Sequence, residues 1–423
     1  MFSRANKALL RCAAVGAALT TAVAGCSSGG GTTTSDGKTV LKVVGWKGGG
    51  SEPANIAKIN AAFEAAHPNI KVKWTYVPSD NYQQTVTTQL LGGNAADVVM
   101  ADNVKAQQWS QSGNLLSLDG QPWVSTLKPS LQDFSKFNDH TVVLPQEIVG
   151  IGLFSNMAVL KKAGITAVPQ TWDEFTADLA KLKAAGVNPI GFADKKGWTG
   201  EMAALTLAAS DVNRGTNAWD HERAKNKTTF AATAGWSTAL DKIQKLAGYV
   251  NVKEALNTDE MGKGLTDFAS GKTAFLIHGS WNIGDFSSKS NFPFRFSAVP
   301  GGATAGQTSP LLYVGTGLAI NAASPVKDAA KEYLDFWAQD STLQQYLKPE
   351  GAFSPLTNGT TPPIPQAKDF EAAVTKGNGV IYQPQIWRNT KIEADMQSSL
   401  QAFVLGQRSA KSVLSSWDQH FAD

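Results

Sequence analysis

The sequence contains few cysteines, a modest share of charged residues and no long hydrophobic run after its first 25 residues. Only 2 of the 423 residues are cysteine. One of them, Cys12, lies in the amino-terminal segment, so removal of that segment would exclude a disulfide or a cysteine-based metal site in the folded body. The later sequence offers no candidate transmembrane helix. The formal net charge is only +3, so nothing indicates a nucleic-acid partner.

The positive excess comes from Arg4, Lys7 and Arg11, the only charges in the first 25 residues. The whole chain has 38 basic and 35 acidic residues, so without these three the numbers of basic and acidic residues are equal. The basic residues precede an Ala-rich apolar run that is too short to span a bilayer comfortably. This pattern predicts a signal peptide over residues 1–25, and the Gly/Ser/Thr-rich residues 26–38 predict a flexible tether.

The apolar run ends in Val23-Ala24-Gly25-Cys26. This ending resembles a bacterial lipoprotein signal, in which the cysteine is acylated and becomes the first residue of the mature chain. The resemblance implies cleavage before Cys26 and lipid anchoring on the extracellular face of the cell membrane. The alternative is an ordinary secretory signal that contains an unrelated cysteine.

The body of the chain alternates between strand and helix patterns. Short β-branched runs predict strands, and apolar residues at helical spacing predict the helices between them, which together indicate an α/β fold with parallel sheets. The predicted strands lie at 40–44, 70–74, 97–100, 272–277 and 318–320, and the predicted helices at 54–66, 81–91, after the Thr171–Glu174 capping box, after Ser324-Pro325 and at 392–417. No single Gly/Pro-rich linker divides the body, which favours two lobes joined by several crossings.

Motifs of common enzymes and cofactor sites are missing. The Gly-Lys-Thr strings at 37–39 and 271–273 lack the first glycine of a phosphate loop, and no GxSxG or HExxH is present. The five histidines are scattered, so we expect no cofactor and no metal. Carboxylates at Asp102, Glu147, Glu201 and Glu350 could form a glycosidase pair, which leaves a secreted carbohydrate-active enzyme as an alternative.

Tryptophan is abundant, with 12 residues, and four lie where predicted strands or loops end: Trp46, Trp198, Trp281 and Trp387. Indoles flanked by glycine and by amide or acidic residues suit a sugar. The C–H faces of a pyranose stack on flat rings, and its hydroxyls need amide or carboxylate partners. Three others are expected to serve packing: Trp172, Trp337 and Trp417.

Six segments in order carry a resemblance to a known family: residues 63–72, 90–99, 113–118, 153–175, 268–281 and 313–321. The stretch Pro169-Gln170-Thr171-Trp172-Asp173-Glu174-Phe175 and the pattern Phe268-Ala-Ser-Gly-Lys-Thr-Ala-Phe275 with Gly279-Ser280-Trp281 are its most specific parts. In this order the segments resemble the extracellular solute-binding proteins of bacterial ABC sugar importers, the maltose-binding-protein-like group.

The resemblance implies a two-lobed, type II periplasmic-binding-protein-like fold, in which each lobe is a mostly parallel sheet flanked by helices. A hinge of three crossings would join the lobes around a central cleft. The implied bounds are 39–149 and 315–354 for the amino-terminal lobe, 150–314 and 355–423 for the carboxy-terminal lobe, and 148–151, 313–317 and 353–357 for the crossings.

The resemblance also implies which residues touch a ligand in the cleft. The expected contacts are Trp46, Asn103, Gln146, Glu147, Trp198, Trp281, Tyr313 and Trp387. Further candidates are Glu52, Asp102, Glu201, Asn282 and Gln385. Four indoles suggest a ligand of two or more sugar rings, since one pyranose offers two faces.

The expected function is therefore capture of a short oligosaccharide and its delivery to the transmembrane subunits of an ABC permease. We expect a monomer without enzymatic activity, bound to the membrane only through its lipid anchor. Two alternatives remain open at this point: a binding protein for a peptide, polyamine or other non-sugar solute, and a secreted carbohydrate-active enzyme.

Overall fold

A computed structural model describes residues 32–46, 52–53, 55–387 and 389–422. The predicted signal peptide, Cys26 and the Gly-rich loop at 47–51 lie outside the described residues. Within the described part, no helix combines the length and apolarity needed to cross a membrane.

The strands are β1 (Thr39–Gly45), β2 (Ile70–Tyr76), β3 (Val98–Ala101), β4 (Lys136–Phe137), β5 (His140–Thr141), β6 (Leu144–Pro145), β7 (Ile148–Asn156), β8 (Asn188–Gly191), β9 (Thr273–Gly279), β10 (Phe294–Ser297), β11 (Leu311–Val314), β12 (Gly317–Ile320) and β13 (Val380–Ile381). The helices are α1 (Ile56–Ala66), α2 (Ser79–Leu91), α3 (Asn103–Gln111), α4 (Pro129–Ser135), α5 (Met157–Lys162), α6 (Trp172–Ala184), α7 (Trp198–Ala208), α8 (Ala218–Ala224), α9 (Ala234–Ala247), α10 (Val252–Ala255), α11 (Leu265–Ala269), α12 (Ile283–Lys289), α13 (Lys327–Trp337), α14 (Asp340–Leu347), α15 (Lys368–Thr375), α16 (Gln383–Trp387), α17 (Thr390–Val404) and α18 (Ala410–Ala422).

The first lobe is built on a sheet of order β2-β1-β3-β12-β6. Strand β1 pairs in parallel with β2 and β3, whereas β12 is antiparallel to both β3 and β6. Every residue of β3 is buried, as expected for a central strand covered on both faces. The helix predicted at 54–66 is present as α1. Ile56, Ile59 and Phe63 of its apolar stripe are buried in the core of this lobe, whereas the fourth predicted residue of the stripe, Ala66, is exposed.

The second lobe is built on a sheet of order β13-β11-β7-β9-β8, with β10 also paired to β7. Its parallel pairs are β8 with β9 and β11 with β13, and the others are antiparallel. The α/β organisation in two lobes is thus confirmed, but both sheets are mixed rather than mostly parallel. The difference arises at β7 and β12, which directly follow chain crossings and run antiparallel to sheet neighbours.

Short segments connect the two sheets. Residues 146–147 join β6 to β7, and residues 315–316 join β11 to β12. In a third region, Phe353 exchanges backbone hydrogen bonds with Ile148, at 2.7 and 3.0 Å. The chain therefore passes twice between the two sheets within short distances in sequence, and Phe353 lies beside the first of these links.

Three local expectations need correction. Residues 32–38 fold back on β1, with Val40 N–H donating to the Thr32 carbonyl at 2.8 Å, so this part of the predicted tether belongs to the folded body. Helix α13 begins at Lys327, two residues beyond the predicted Ser-Pro start. The predicted helix at 392–417 is divided into α17 and α18, because Gly406 adopts a φ of +73° and ends the first helix.

Candidate functional site

A cavity of about 470 Å³ lies between the two sheets, a volume within the usual range for small-ligand sites. Its wall draws on both lobes and on both connecting segments. The first lobe supplies Trp46, Ser79 and Asp102, the connecting segments supply Glu147, Gly315 and Thr316, and the second lobe supplies Val149, Ile151, Lys196, Trp198, Glu201, Met202, Trp281, Tyr313, Tyr382 and Glu393.

The ends of strands place the first group of these residues. Trp46 directly follows β1, and Asp102 directly follows β3. Because these strands are parallel neighbours, their carboxyl ends meet at one edge of the sheet, which is where open α/β sheets bind ligands. In the second lobe, Trp281 follows the end of β9 by two residues.

A buried histidine holds two of the indoles. The His278 ring contacts Trp198 at 5.2 Å and Trp281 at 5.6 Å between ring centres, edge-to-face in both cases. The Asn282 amide donates to its Nδ1 at 2.6 Å. Burial lowers the pKa of His278 to about 3, so the imidazole is neutral and acts as a packing partner for both indoles.

The position of Trp281 depends on the glycine before it. A Cβ added to Gly279 would lie 2.0 Å from Cζ3 of Trp281, far inside van der Waals contact. The backbone φ of Gly279 is an ordinary −80°. Glycine is therefore required here by the close approach of the indole and not by backbone conformation.

A tyrosine–carboxylate arrangement forms another part of the wall. The Tyr382 hydroxyl donates to Oε1 of Glu201 at 2.8 Å, and the Gln397 amide donates to Oε2 at 2.7 Å. Burial raises the pKa of Glu201 well above its usual value, and the nearby Glu393 charge adds to the shift. Tyr313 packs edge-to-face on Tyr382 at 5.2 Å.

Acidic groups from the two lobes face each other across the cavity. Asp102 caps α3 by accepting from the backbone N–H of Lys105 at 2.9 Å, and it also pairs with the Lys105 ammonium. That ammonium lies 4.6 Å from the ring centre of Trp46. Burial and, to a smaller extent, the Asp102 charge raise the pKa of Glu393 to about 7, against the opposing effect of the Lys105 ammonium.

Glu147 links the two connecting segments. Its Oε1 accepts from the Thr316 backbone N–H at 3.2 Å and from the Thr316 hydroxyl at 2.9 Å. The Tyr346 hydroxyl in turn lies 2.8 Å from that of Thr316. A residue of one crossing is thus tied to a residue of the other at the base of the cavity.

Comparison with known proteins places this architecture in a family. The profile described as bacterial extracellular solute-binding protein matches residues 48–342. The chain belongs to this family. It is 25% identical over 317 residues to the multiple sugar-binding protein of Streptococcus mutans, covering 71% of each chain. It is 27% identical over 304 residues to the mannitol-binding protein of Pseudomonas aeruginosa, covering 69% of this chain and 66% of that one.

The fold of this solute-binding protein is also that of solved structures. The GacH receptor of Streptomyces glaucescens, solved without ligand and with acarbose, superposes with a TM-score of 0.73 at 20% identity, over 91% of this chain and 98% of that chain. The type II two-lobed architecture is thereby established.

The cavity of the solute-binding protein brings together five of the eight predicted contact residues: Trp46, Glu147, Trp198, Trp281 and Tyr313. The other three do not line it. Asn103 is buried at the start of α3, with its amide 3.4 Å from the Phe134 carbonyl. Gln146 is fully buried and contacts Thr316 through its backbone.

Trp387 is the clearest departure from the predicted site. It ends α16 and is only 6% exposed. Its indole N–H donates to Oδ1 of Asp220 at 3.0 Å, and its ring packs against Trp219 and Trp236 at 6.2 Å. The residues before Trp387, which the sequence predicts as a loop, therefore form a buried helical turn. The indole is part of the core of the second lobe.

The five further candidate residues differ in where they lie relative to the cavity. Asp102 and Glu201 line the cavity, whereas Asn282 and Gln385 act behind it by holding His278 and Val314. Glu52 is exposed and does not line the cavity. Sequence reasoning missed several lining residues: Ser79, Lys196, Met202, Thr316, Tyr382 and Glu393. Of these, Thr316 lies within the family-like segment 313–321, whereas no pattern in the sequence marked Glu393.

A larger cavity of about 620 Å³ lies elsewhere, between α6, α9 and the loop at 301–309. All of its lining residues come from the second lobe, so a ligand there could not touch both lobes. Among the described residues, no group of three His, Cys, Asp or Glu side chains is arranged to hold a metal ion.

Proposed function

We propose that this solute-binding protein captures a sugar, in the form of a short oligosaccharide, and delivers it to the permease of an ABC importer. The observation that carries the proposal is the composition of one cavity wall. Trp198, Trp281 and Tyr313 offer aromatic surface beside the carboxyl groups of Glu147 and Glu201. Aromatic faces stack on the C–H faces of a pyranose, and carboxylates accept from its hydroxyls.

The relatives support a sugar as the ligand. The Streptococcus relative is named for multiple sugars and the Pseudomonas relative for mannitol, and the Streptomyces neighbour was solved with acarbose. The cavity volume of about 470 Å³ suits a compact ligand better than a long polysaccharide.

The proposed mechanism is capture without catalysis. A ligand in this cavity contacts both lobes, so it binds the closed arrangement more tightly than the open one and shifts the population towards closure. The closed protein then docks on the transmembrane subunits. We propose that the protein acts as a monomer, whose own two lobes close around the ligand.

We further propose that Cys26 carries the lipid anchor that keeps the protein at the extracellular face of the membrane. The sequence Val23-Ala24-Gly25-Cys26 supports this assignment. Labelling of cells with a tagged fatty acid should mark the wild-type protein and not Cys26→Ser. Equal labelling of both would exclude Cys26 as the acylated residue.

The test of sugar capture is a thermal-shift screen of residues 27–423 against mono- and oligosaccharides, with tryptophan fluorescence as the second measurement. We expect a saturable rise in Tm with one class of sugar and no hydrolysis of it. Trp281→Ala should abolish the rise, whereas Trp172→Ala, which alters the other cavity, should keep it. A shift with peptides or polyamines but with no sugar would overturn the sugar assignment.

A further inference from the structure

We infer that the cavity prefers a sugar that bears a protonated amine, with the ammonium group held beside Glu393. The inference rests on the sugar-binding function proposed above and names the ligand class for the same site. It depends on the balance of charge in the cavity, on the surroundings of Glu393 and on the aromatic wall.

Among the described residues that line the cavity, acidic side chains outnumber basic ones. Four carboxylate residues line the cavity, and Lys196 is the cationic residue among the lining residues. The carboxylates are Asp102, Glu147, Glu201 and Glu393. With a neutral sugar in this partly desolvated site, burial favours the neutral forms of Glu201 and Glu393, which raises the pKa of both carboxyl groups. A ligand ammonium beside these groups would favour their ionised forms and would itself gain a counter-charge.

Glu393 is the carboxylate with the clearest need for a counter-charge. Within the described part of the chain it has no hydrogen-bond or ion-pair partner, although it lines the cavity from the first turn of α17. The nearest ammonium in the first lobe, Lys105, is already paired with Asp102 and lies against the Trp46 ring. Lys105 therefore compensates the charge of Asp102 directly and acts on Glu393 only as a nearby charge.

In the described part of the chain, Lys105 is the cationic group that influences Glu393. Asp102 and Lys105 act on it from the first lobe, and Glu201 interacts with it from α7. Tyr313 and Tyr382, from β11 and the end of β13, also interact with it electrostatically and are neutral hydroxyls. Apart from Lys105, the described groups that influence Glu393 are therefore acidic or neutral.

The aromatic wall suits a cation as well as a sugar ring. Trp198, Trp281, Tyr313 and Tyr382 surround the same space as Glu393. The negative faces of such rings attract ammonium groups, and the attraction increases when water is excluded. An amino sugar therefore offers the cavity both a stacking face and a charge.

The experiment compares matched ligands that differ at one ring substituent. The pairs are glucose with glucosamine, galactose with galactosamine, and cellobiose with the β-1,4-linked glucosamine dimer, and the N-acetylated forms serve as uncharged controls. By calorimetry on the mature chain at about pH 7, we expect at least one amine to bind about tenfold tighter than its hydroxyl counterpart, because one compensated charge contributes on this scale.

The variant Glu393→Gln tests the assigned residue. It should bring the amine's affinity to that of the hydroxyl sugar and leave the hydroxyl sugar's affinity within about twofold, a difference too small to indicate a lost contact. The unliganded Tm of this variant should not fall, since Glu393 makes no hydrogen bond or ion pair with another described residue. Glu222→Gln, on the exposed surface of α8, should retain the full preference for the amine.

Each other outcome has a defined meaning. Equal affinities for amine and hydroxyl sugars, or an amine preference that survives in Glu393→Gln, would overturn the inference and leave the sugar-binding function intact. If no sugar of either kind binds while putrescine or spermidine does, the proposed function itself fails and the inference fails with it.

Discussion

The side-chain amide of Gln385 makes two hydrogen bonds to the backbone of Val314. Its Oε1 accepts from the Val314 N–H at 3.0 Å, and its Nε2 donates to the Val314 carbonyl at 2.8 Å. Strand β13 pairs with β11 only at Leu311 and Leu312. Gln385 therefore continues the pairing of β11 beyond the end of β13, immediately before the chain crosses between the lobes.

We expect Gln385→Ala to lower the free energy of unfolding by about 2–4 kcal/mol, because it leaves a buried N–H and a buried carbonyl without partners. Gln385 is only 2% exposed, so water would not readily replace the amide. Denaturant unfolding measures the loss. Gln84→Ala, on the exposed face of α2, should change stability by about 0.5 kcal/mol or less, and losses of equal size would contradict the assignment.

Substitution of Trp198 should affect ligand binding, whereas substitution of Trp387 should affect stability. Trp198→Ala removes part of the cavity wall and should weaken sugar binding about tenfold or more, since tenfold corresponds to about 1.4 kcal/mol of lost contact. Trp387→Ala should instead cost about 3–5 kcal/mol of stability, as expected for a buried aromatic ring. Calorimetry and denaturant unfolding on both variants check this contrast. If Trp387→Ala kept normal stability but lost affinity for the sugar, Trp387 would be a ligand contact and not a core residue.

A single methyl group should disturb the position of Trp281. Gly279→Ala forces the indole away from the end of β9, so we expect weaker sugar binding together with altered tryptophan fluorescence. Gly120→Ala is the matched control, because a Cβ there meets no atom within 4 Å. If Gly279→Ala binds sugar as tightly as Gly120→Ala, the close approach has no role in ligand binding.

The buried histidine should make stability depend on pH. His278 has a folded-state pKa of about 3 against an ordinary value of 6.5, so between these values the unfolded chain takes up a proton that the folded chain does not. The wild type should therefore lose stability relative to His278→Gln as the pH falls below 6.5, with the loss levelling off near pH 3. Denaturant unfolding across this range measures the difference. The exposed His221→Gln variant should follow the wild type, and a parallel course of the wild type and His278→Gln would contradict the prediction.

Elements with strong local patterns could be predicted from the sequence. The capping box of α6 is present in full, with Thr171 and Glu174 bonded to each other's backbone, because this motif depends only on residues three apart. Trp46 and Trp281 lie at strand ends as predicted, since a short β-branched run and the residue after it are neighbours in the chain. The relative direction of the strands was not predicted correctly from the sequence, because it depends on how distant segments of the chain pair.

The polar side of the cavity could not be predicted for the same reason. Glu393 lies in the first turn of a helix near the carboxyl terminus, and only the tertiary fold brings it opposite Asp102. Conversely, Trp387 has the flanking glutamines and proline expected of a ligand-binding turn, yet its burial depends on Asp220 and Trp219, more than 160 positions earlier. Sequence patterns identified the kind of residue required but not which distant residues meet.

Strand β12 occupies an interior place in the first sheet, between β3 and β6, although it is contributed by residues 317–320. The amino-terminal sheet therefore cannot be completed until most of the chain, including nearly all strands of the second lobe, has been synthesised. A nascent chain that still lacks this strand presents β3 and β6 without their common neighbour. Formation of a stable amino-terminal lobe is therefore delayed until after residue 320 has been synthesised.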